Sequence, residues 1–145
     1  MFLGTFTPKF DDQGRFLLPA DHRSQLKDGL VITRAPDDPC LEIWPAAKFK
    51  ADVIKATKKL DRQEAREYQR KVASAGSYKS PDGQGRVTIP PALRDFAGIT
   101  KDITLLGAMT HVEVWDTPTW EKHLADEEDK EKKKREGSEP AGAGD

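Results

Sequence analysis

A stretch of this chain occurs twice. Asp-Asp-Gln-Gly-Arg-Phe-Leu-Leu-Pro, from Asp11 to Pro19, returns 71 positions on as Asp-Gly-Gln-Gly-Arg-Val-Thr-Ile-Pro, from Asp82 to Pro90. Held without a gap, that offset pairs Arg23 with Arg94, Ile32 and Thr33 with Ile103 and Thr104, Glu42 with Glu113, and Trp44 with Trp115. With Asp11, Gln13, Gly14, Arg15 and Pro19 this makes ten identities. A repeat constrains the architecture before any local reading, because each copy is a unit that needs a neighbour to bury its apolar face. A unit of about fifty residues is marginal on its own. The copies are therefore expected to share one core in a pseudo-two-fold body, with two equivalent turns that each present an arginine.

Alternation and breaker residues divide the two copies alike. Residues 2–10 read as a strand, Asp11-Asp12-Gln13-Gly14 as a turn, and Arg15 to Leu18 as a return strand closing a hairpin. Pro19 stands where the first turn of a helix tolerates a missing N–H, and Asp28-Gly29 ends that helix. Strands follow at Leu30–Arg34 and Cys40–Trp44, then a helix from Ala46 to about Ala56. Leu60 to Ala75 has good helix formers and no Gly or Pro, which predicts a connecting helix. The pattern restarts with strands at Gly76–Ser80 and Arg86–Ile89, a helix from Pro90-Pro91 to Gly98, and strands at Ile103–Leu106 and Val112–Trp115. Thr117-Pro118 opens a last helix. The fold class is α+β: a first repeat over 1–56, a connecting helix over 57–75, a second repeat over 76–125 and a charged tail over 126–145. The tail is too poor in apolar surface to offset the entropy of ordering, so it is expected to be largely disordered from about Lys132. Asp126–Arg135, acids first and bases after, suits an extension of the last helix.

Charge alone decides little. Charged residues make up 34% of the chain, yet the formal net charge is −1. The tail holds eight acids and five bases; without it, 19 bases stand against 17 acids, a net of +2. That balance does not by itself announce nucleic acid. A single cysteine, Cys40, excludes an internal disulfide and a thiolate metal cluster and suits a reducing interior. The N-terminal residues lack the blocks of a signal peptide, and no apolar run approaches the roughly 18 residues of a membrane span. A cytosolic protein is the expectation.

The duplicated turns carry the chemistry. Gly14 and Gly85 supply the backbone angles of a tight bend, but a bend does not need an arginine. Arg15 and Arg86 nonetheless occupy the same place in both copies. A planar fork of donors there suits phosphate oxygens or the O6/N7 edge of guanine. Asp11 and Asp82 are placed to brace those forks across the turns. Lys9 and Lys79 precede the turns and flank the same surface. Arg23 and Arg94 lie on the short helices, where an ion pair or helix-end partner competes with a role at that surface. Lys27 and Lys101 read as solvated. Trp44 and Trp115 end alternating strands and read as packing or interface residues, as do Phe49 and Trp120 on the helices that follow.

Asp11 to Arg15 with Leu18-Pro19 and Arg23, Pro39-Cys40-Leu41 with Trp44-Pro45, then Asp82 to Arg86 with Ile89-Pro90, Leu93-Arg94, Val114-Trp115 and Trp120, together resemble the MraZ family. These are bacterial regulators at the head of the division and cell-wall gene cluster, within the wider SpoVT/AbrB-like swapped-hairpin DNA-binding group. The resemblance covers residues 1 to about 125. It implies a double swapped-hairpin AbrB-like β-barrel in which strands of one copy complete the sheet of the other. It implies ring-shaped homo-oligomers, and a cytoplasmic, nucleoid-associated protein that binds short direct repeats of double-stranded DNA near its own promoter. Arg15 and Arg86 are then the residues expected to meet DNA, with Lys9, Lys79, Gln13, Gln84, Arg23 and Arg94 around them. Gln13 stands where many relatives carry a basic residue; it reaches a phosphate or a base edge without adding charge.

Two other readings fit less of the chain. Asp11 and Asp82 are equivalent carboxylates, as in an aspartic-protease dyad. A dyad wants a hydroxyl residue and glycine after each Asp, and an arginine four residues on would hold each carboxylate ionised. A single-copy swapped-hairpin antitoxin would use a tail to wrap a toxin, but this chain has two copies and a tail without apolar anchors. His22, His111 and His123 show no zinc-ligand spacing. No nucleotide-cradling glycine loop and no Ser-His-Asp or Cys-His arrangement is present, so neither cofactor, metal nor catalysis is expected.

Overall fold

A computed structural model describes residues 1–138. It is α+β, with eight strands and five helices among the described residues. The first copy supplies β1 (Thr5–Phe6), β2 (Arg15–Leu17), α1 (Ala20–Leu26), β3 (Leu30–Arg34), β4 (Leu41–Pro45) and α2 (Ala46–Thr57). After α3 (Arg62–Ala75) the second supplies β5 (Ser77–Lys79), β6 (Arg86–Thr88), α4 (Pro91–Ala97), β7 (Ile103–Gly107), β8 (Val112–Asp116) and α5 (Thr117–Ser138). The connecting helix begins with a reciprocal cap: the Asp61 carboxylate accepts the Glu64 N–H, and the Glu64 side chain accepts the Asp61 N–H, which satisfies two otherwise orphaned donors.

The strands exchange between the copies. One sheet runs β1-β7-β8-β4-β3-β5 and a separate ribbon pairs β2 with β6. Thus β1 of the first copy lies on β7 of the second, and β5 of the second lies on β3 of the first, all antiparallel. The predicted turn at Asp11–Gly14 is present, but the arms it was expected to close as a hairpin meet only at a Phe10–Phe16 bridge. Past that bridge β2 leaves for β6, in the register Arg15↔Thr88, Phe16↔Val87, Leu17↔Arg86. Burial explains the exchange. Phe16, Leu18, Val87 and Ile89 are at most 2% exposed, and pairing the two return strands with each other drives all four into one core. Leu30, Ile32, Leu41, Ile43, Ile103, Leu105, Val112 and Val114 join the same cluster. The hydrogen-bonded strands therefore form an open six-stranded sheet and a ribbon rather than the one closed barrel expected from the resemblance.

The pseudo-two-fold axis passes through two residue pairs. Phe16 faces Val87 and Glu42 faces Glu113, each residue opposite its own repeat equivalent. The gapless offset fails between these points. Phe6 pairs with Leu105 while Ser77, its equivalent 71 residues on, pairs with Ile32; β7 is thus displaced from β3 by 73 residues. Five residues separate α4 from β7 where three separate α1 from β3, and four separate β7 from β8 where six separate β3 from β4. The two gained residues are lost again one loop later. Ile103 occupies the place of Leu30, and the identities Ile32/Ile103 and Thr33/Thr104 are not structural equivalents. A slip of two keeps every side chain on its face, whereas a slip of one would turn the strand inside out.

The charged stretch after Asp126 is helical through Ser138, beyond the point at Lys132 where disorder was expected. Glu and Lys are strong helix formers, and the Lys133–Asp129 pair at 3.2 Å, four residues apart, adds local support. The expected disorder of residues 139–145 lies outside the described residues. Where β7 passes the N-terminal segment the backbones nearly touch: a Cβ on Gly107 would collide with the Leu3 main chain, whereas one on Gly83 would meet nothing within 4 Å. Gly107→Ala should therefore cost about 1–3 kcal/mol through overpacking, and Gly83→Ala about 0.5 kcal/mol or less, read as urea midpoints of the two variants.

Candidate functional site

Each turn is fastened by one aspartate. In the first, Asp11 Oδ1 accepts the N–H groups of Gln13 and Arg15, both at 2.9 Å, and Oδ2 accepts Arg15 Nε–H at 2.8 Å. In the second, Asp82 Oδ1 accepts from the N–H groups of Gln84 and Arg86 at 2.9 Å, and Oδ2 accepts Arg86 Nε–H at 2.9 Å. Gly14 at φ +78° and Gly85 at φ +83° close the bends, a region that side chains with a Cβ rarely adopt. The Arg15 backbone N–H is the largest influence holding the Asp11 carboxyl below its ordinary range, and the Arg86 N–H does the same for Asp82. The two carboxylates are held singly, each by its own turn, and do not form the shared-proton dyad weighed above.

The brace uses Nε and leaves the outer edge of each guanidinium, Nη1 and Nη2, without a partner among the described residues. The Arg15 and Arg86 side chains are 33% and 36% exposed. Both lie on the outer face of the β2–β6 ribbon, because the intervening Phe16 and Val87 point inward. The register sets the two arginines diagonally across the ribbon, at positions about 7–8 Å apart. Leu17 and Thr88 complete that face; Leu17 is 47% exposed. Sequence reading passed over these two, although the buried–exposed alternation from Arg15 to Leu18 already points Leu17 outward. Lys9, Gln13 and Gln84 are exposed nearby in sequence, and Lys79 is half-buried at the end of β5.

Arg23 and Arg94 serve the turns from beneath, and they do so across the axis. Arg23 Nη2 donates to Leu18 O at 3.0 Å, and Arg94 Nε to Ile89 O at 3.1 Å. The Arg23 guanidinium lies under Gly85, where an added Cβ would stand 2.6 Å from Nε; the Arg94 guanidinium lies under Gly14, at 2.9 Å from Cζ. The backbone crosses too: Leu18 N–H donates to Gly85 O at 3.0 Å and Ile89 N–H to Gly14 O at 2.8 Å. Each half therefore seats the turn of the other.

The opposite face of β4 and β8 carries a second polar cluster, also on the axis. Glu42 faces Glu113. Trp44 Nε1–H donates to Glu42 Oε1 and Trp115 Nε1–H to Glu113 Oε1, both at 3.0 Å. The His111 ring stacks on Trp44 with centroids 4.4 Å apart, and its Nε2 lies 3.4 Å from Glu42 Oε2. Burial raises the Glu42 carboxyl pKa, but the hydrogen bonds from His111 and Trp44 outweigh it and leave the group below its ordinary value. Cys40, the repeat equivalent of His111, is buried against Trp115; burial first, then the nearby Glu113, Asp38 and Glu42 carboxylates, push its thiol pKa up. Trp115 is buried and Trp44 half-buried, with Trp120 of α5 packed on the former, as expected for packing residues.

The turn aspartates give a directional pH effect. Their folded pKa values lie below the unfolded reference of 3.8, so the stability they contribute is complete above that value and is lost as pH falls through the lowered folded values. The double variant Asp11→Asn/Asp82→Asn should show a flatter fall in its urea midpoint between about pH 5 and pH 2 than the parent does.

Comparison with known proteins identifies the family. The family model described as "MraZ protein, putative antitoxin-like" matches residues 1–71 and 75–138. The chain is 47% identical over 134 residues to the protein named transcriptional regulator MraZ of Cutibacterium acnes, covering 89% of this chain and 91% of that one. It is 50% identical over 127 residues to the protein of that name from Kineococcus radiotolerans, covering 86% and 87%, and 45% identical over 131 residues to that of Salinispora arenicola, covering 89% and 91%. With both copies and most of α3 inside the matched regions, this chain belongs to the MraZ family.

Proposed function

We propose that this protein is a DNA-binding transcriptional regulator that reads base edges with the paired arginines of its β2–β6 ribbon. The observation that carries the proposal is the state of Arg15 and Arg86: each is fixed at Nε by an aspartate, exposed at its outer edge, and set on one face with the other. A guanidinium held in this way presents two parallel N–H donors, the arrangement that matches guanine O6 and N7 and that loses little side-chain entropy on binding. A two-stranded ribbon is narrow enough for the DNA major groove. Leu17, exposed between the arginines, offers an apolar contact of the kind a thymine methyl takes. Lys9, Lys79, Gln13 and Gln84 are suited to phosphates, which position the protein but carry no sequence information. Arg23 and Arg94 are assigned to holding the turns.

Two arginines read few base pairs, so the working species is proposed to be a ring homo-oligomer on direct repeats in the protein's own promoter, within a division and cell-wall gene cluster. Linked sites raise overall affinity by about 10²- to 10⁴-fold where geometry allows simultaneous contact. The setting proposed is the cytoplasm, at the nucleoid; no helix among the described residues is long and apolar enough to cross a membrane. The relatives named as transcriptional regulators support a role without catalysis.

Fluorescence anisotropy on the protein's own upstream DNA, with the number of repeats varied, tests this reading. Affinity should rise steeply with repeat number. Arg15→Ala and Arg86→Ala should each lose about 1–3 kcal/mol of sequence discrimination, and each phosphate contact removed should lower the salt slope by about one unit. Asp11→Asn should weaken binding with circular dichroism unchanged, since an amide keeps the Oδ1 acceptor but turns a donor toward Arg15 Nε. If Arg15→Ala and Arg86→Ala bind repeat DNA as the parent does, the ribbon is not the reading surface.

A further inference from the structure

We propose that Glu42, His111 and Glu113 form a binding site for one divalent transition-metal ion, Zn²⁺, on the pseudo-two-fold axis between β4 and β8. A ligand atom from each of the three lies within 4.8 Å of the others. Glu42 and Glu113 come from facing strands and His111 from the residue just before β8, which is why no linear spacing of histidines revealed them.

Four observations carry the site. First, like charges directly opposed on neighbouring strands repel, and Glu42 and Glu113 are such a pair, with no arginine or lysine bridging them among the described residues. A dication between them removes the repulsion. Second, the indole N–H groups of Trp44 and Trp115 occupy Oε1 of each carboxylate, so that Glu42 Oε2 faces His111 Nε2 and Glu113 keeps its second oxygen for a ligand. Third, His111 Nδ1 lies 3.0 Å from Thr110 Oγ1. In the metal-free chain Nε2 faces Glu42; an ion would take the place of a proton there, and Nδ1–H would then donate to the Thr110 hydroxyl, the kind of outer partner that holds a metal-bound imidazole. Fourth, Nε2 and Glu42 Oε2 stand 3.4 Å apart, long for a charge-assisted hydrogen bond of roughly 2.7–2.9 Å. It matches the edge of a tetrahedron, roughly 3.4 Å, spanned by two ligands each about 2.0–2.1 Å from zinc.

The donor set selects the ion. An imidazole with two carboxylates suits zinc and its neighbours, whereas magnesium prefers oxygen ligands and water. The Glu42 and His111 side chains are each 15% exposed, so the site is enclosed yet reachable from solvent, which would supply the fourth ligand. Its place on the axis gives it a mechanical role. An ion there ties β4 of one copy to β8 of the other, on the sheet face opposite the shared core.

The test uses the full chain stripped of metal by chelation. Zn²⁺ added at micromolar concentration should bind one ion per chain by calorimetry and raise the melting temperature, while Mg²⁺ at the same concentration does neither. Co²⁺ in its place should give the visible absorption of a tetrahedral site. His111→Ala and Glu113→Gln should each weaken Zn²⁺ binding by at least 10-fold and abolish the Co²⁺ band, and Thr110→Val should weaken it by about 10-fold. The circular dichroism of each metal-free variant shows whether it is folded. Absence of binding to the parent chain overturns the proposal, and so does stoichiometric binding that survives both His111→Ala and Glu113→Gln.

Discussion

The whole arrangement depends on one exchange: the return strand after each turn bonds to the other half instead of to its own. Leu18 N–H reaches Gly85 O and Ile89 N–H reaches Gly14 O, and β2 lies along β6. Each half alone would have to expose Phe16 and Leu18, or Val87 and Ile89. Joined, they bury all four at the centre of one core. The same exchange brings the two arginines onto a single face. A simple hairpin in each copy would have presented one arginine at each of two distant edges, so the pairing that stabilises the core also creates the paired surface.

Arg23 and Arg94 show how closely support and surface are linked. Their guanidinium groups are like those of Arg15 and Arg86 in chemistry but opposite in situation, each packed beneath a glycine of the opposite turn and bonded to a strand-end carbonyl. Arg23 Nε is buried with no partner, a cost that only a constrained position sustains. Gly14 and Gly85 are therefore doubly determined, by their positive φ and by the cation under them. Replacing either glycine would disturb the opposite helix as well as its own turn.

Most of the elements were legible because they rest on local signals. The helix starts at Pro19, Pro45 and Pro90, the turns at Asp11 and Asp82, and the alternation in β3, β4, β7 and β8 lie within a few residues of their physical causes. What was not legible is set by distant partners. The hairpin expected at Arg15–Leu18 became a cross-copy ribbon, because sequence alternation shows which face is apolar but not which strand supplies the neighbour. The gapless offset concealed a compensated slip, since the coincidence of Ile-Thr at 32–33 and 103–104 survives a two-residue shift that preserves the buried face. The helix through Ser138 shows local propensity prevailing over the lack of an apolar stripe. At the candidate surface Leu17 and Thr88 carry no charge, and only the β2–β6 register sets them beside the arginines. The Glu42–Glu113–His111 cluster exists only in the register of β4 against β8.

The brace that orients each arginine also cancels its charge. Asp11 with Arg15, and Asp82 with Arg86, are each close to neutral as seen from a Debye length away, about 8–10 Å in physiological salt. The proposed reading surface therefore contributes geometry at short range and little attraction at long range. On the proposed reading, Lys9 and Lys79 would supply the steering charge, against a chain whose net is −1. On that reading a subunit would hold random DNA weakly, because non-specific binding is almost wholly a matter of neutralised phosphates. It would discriminate only where the fork meets its bases, where a well-placed guanidinium is at its strongest. Weak general attraction with sharp local fit favours regulation by many copies on repeated sites. Each copy adds a small, selective increment, and mispositioned copies gain almost nothing from charge alone.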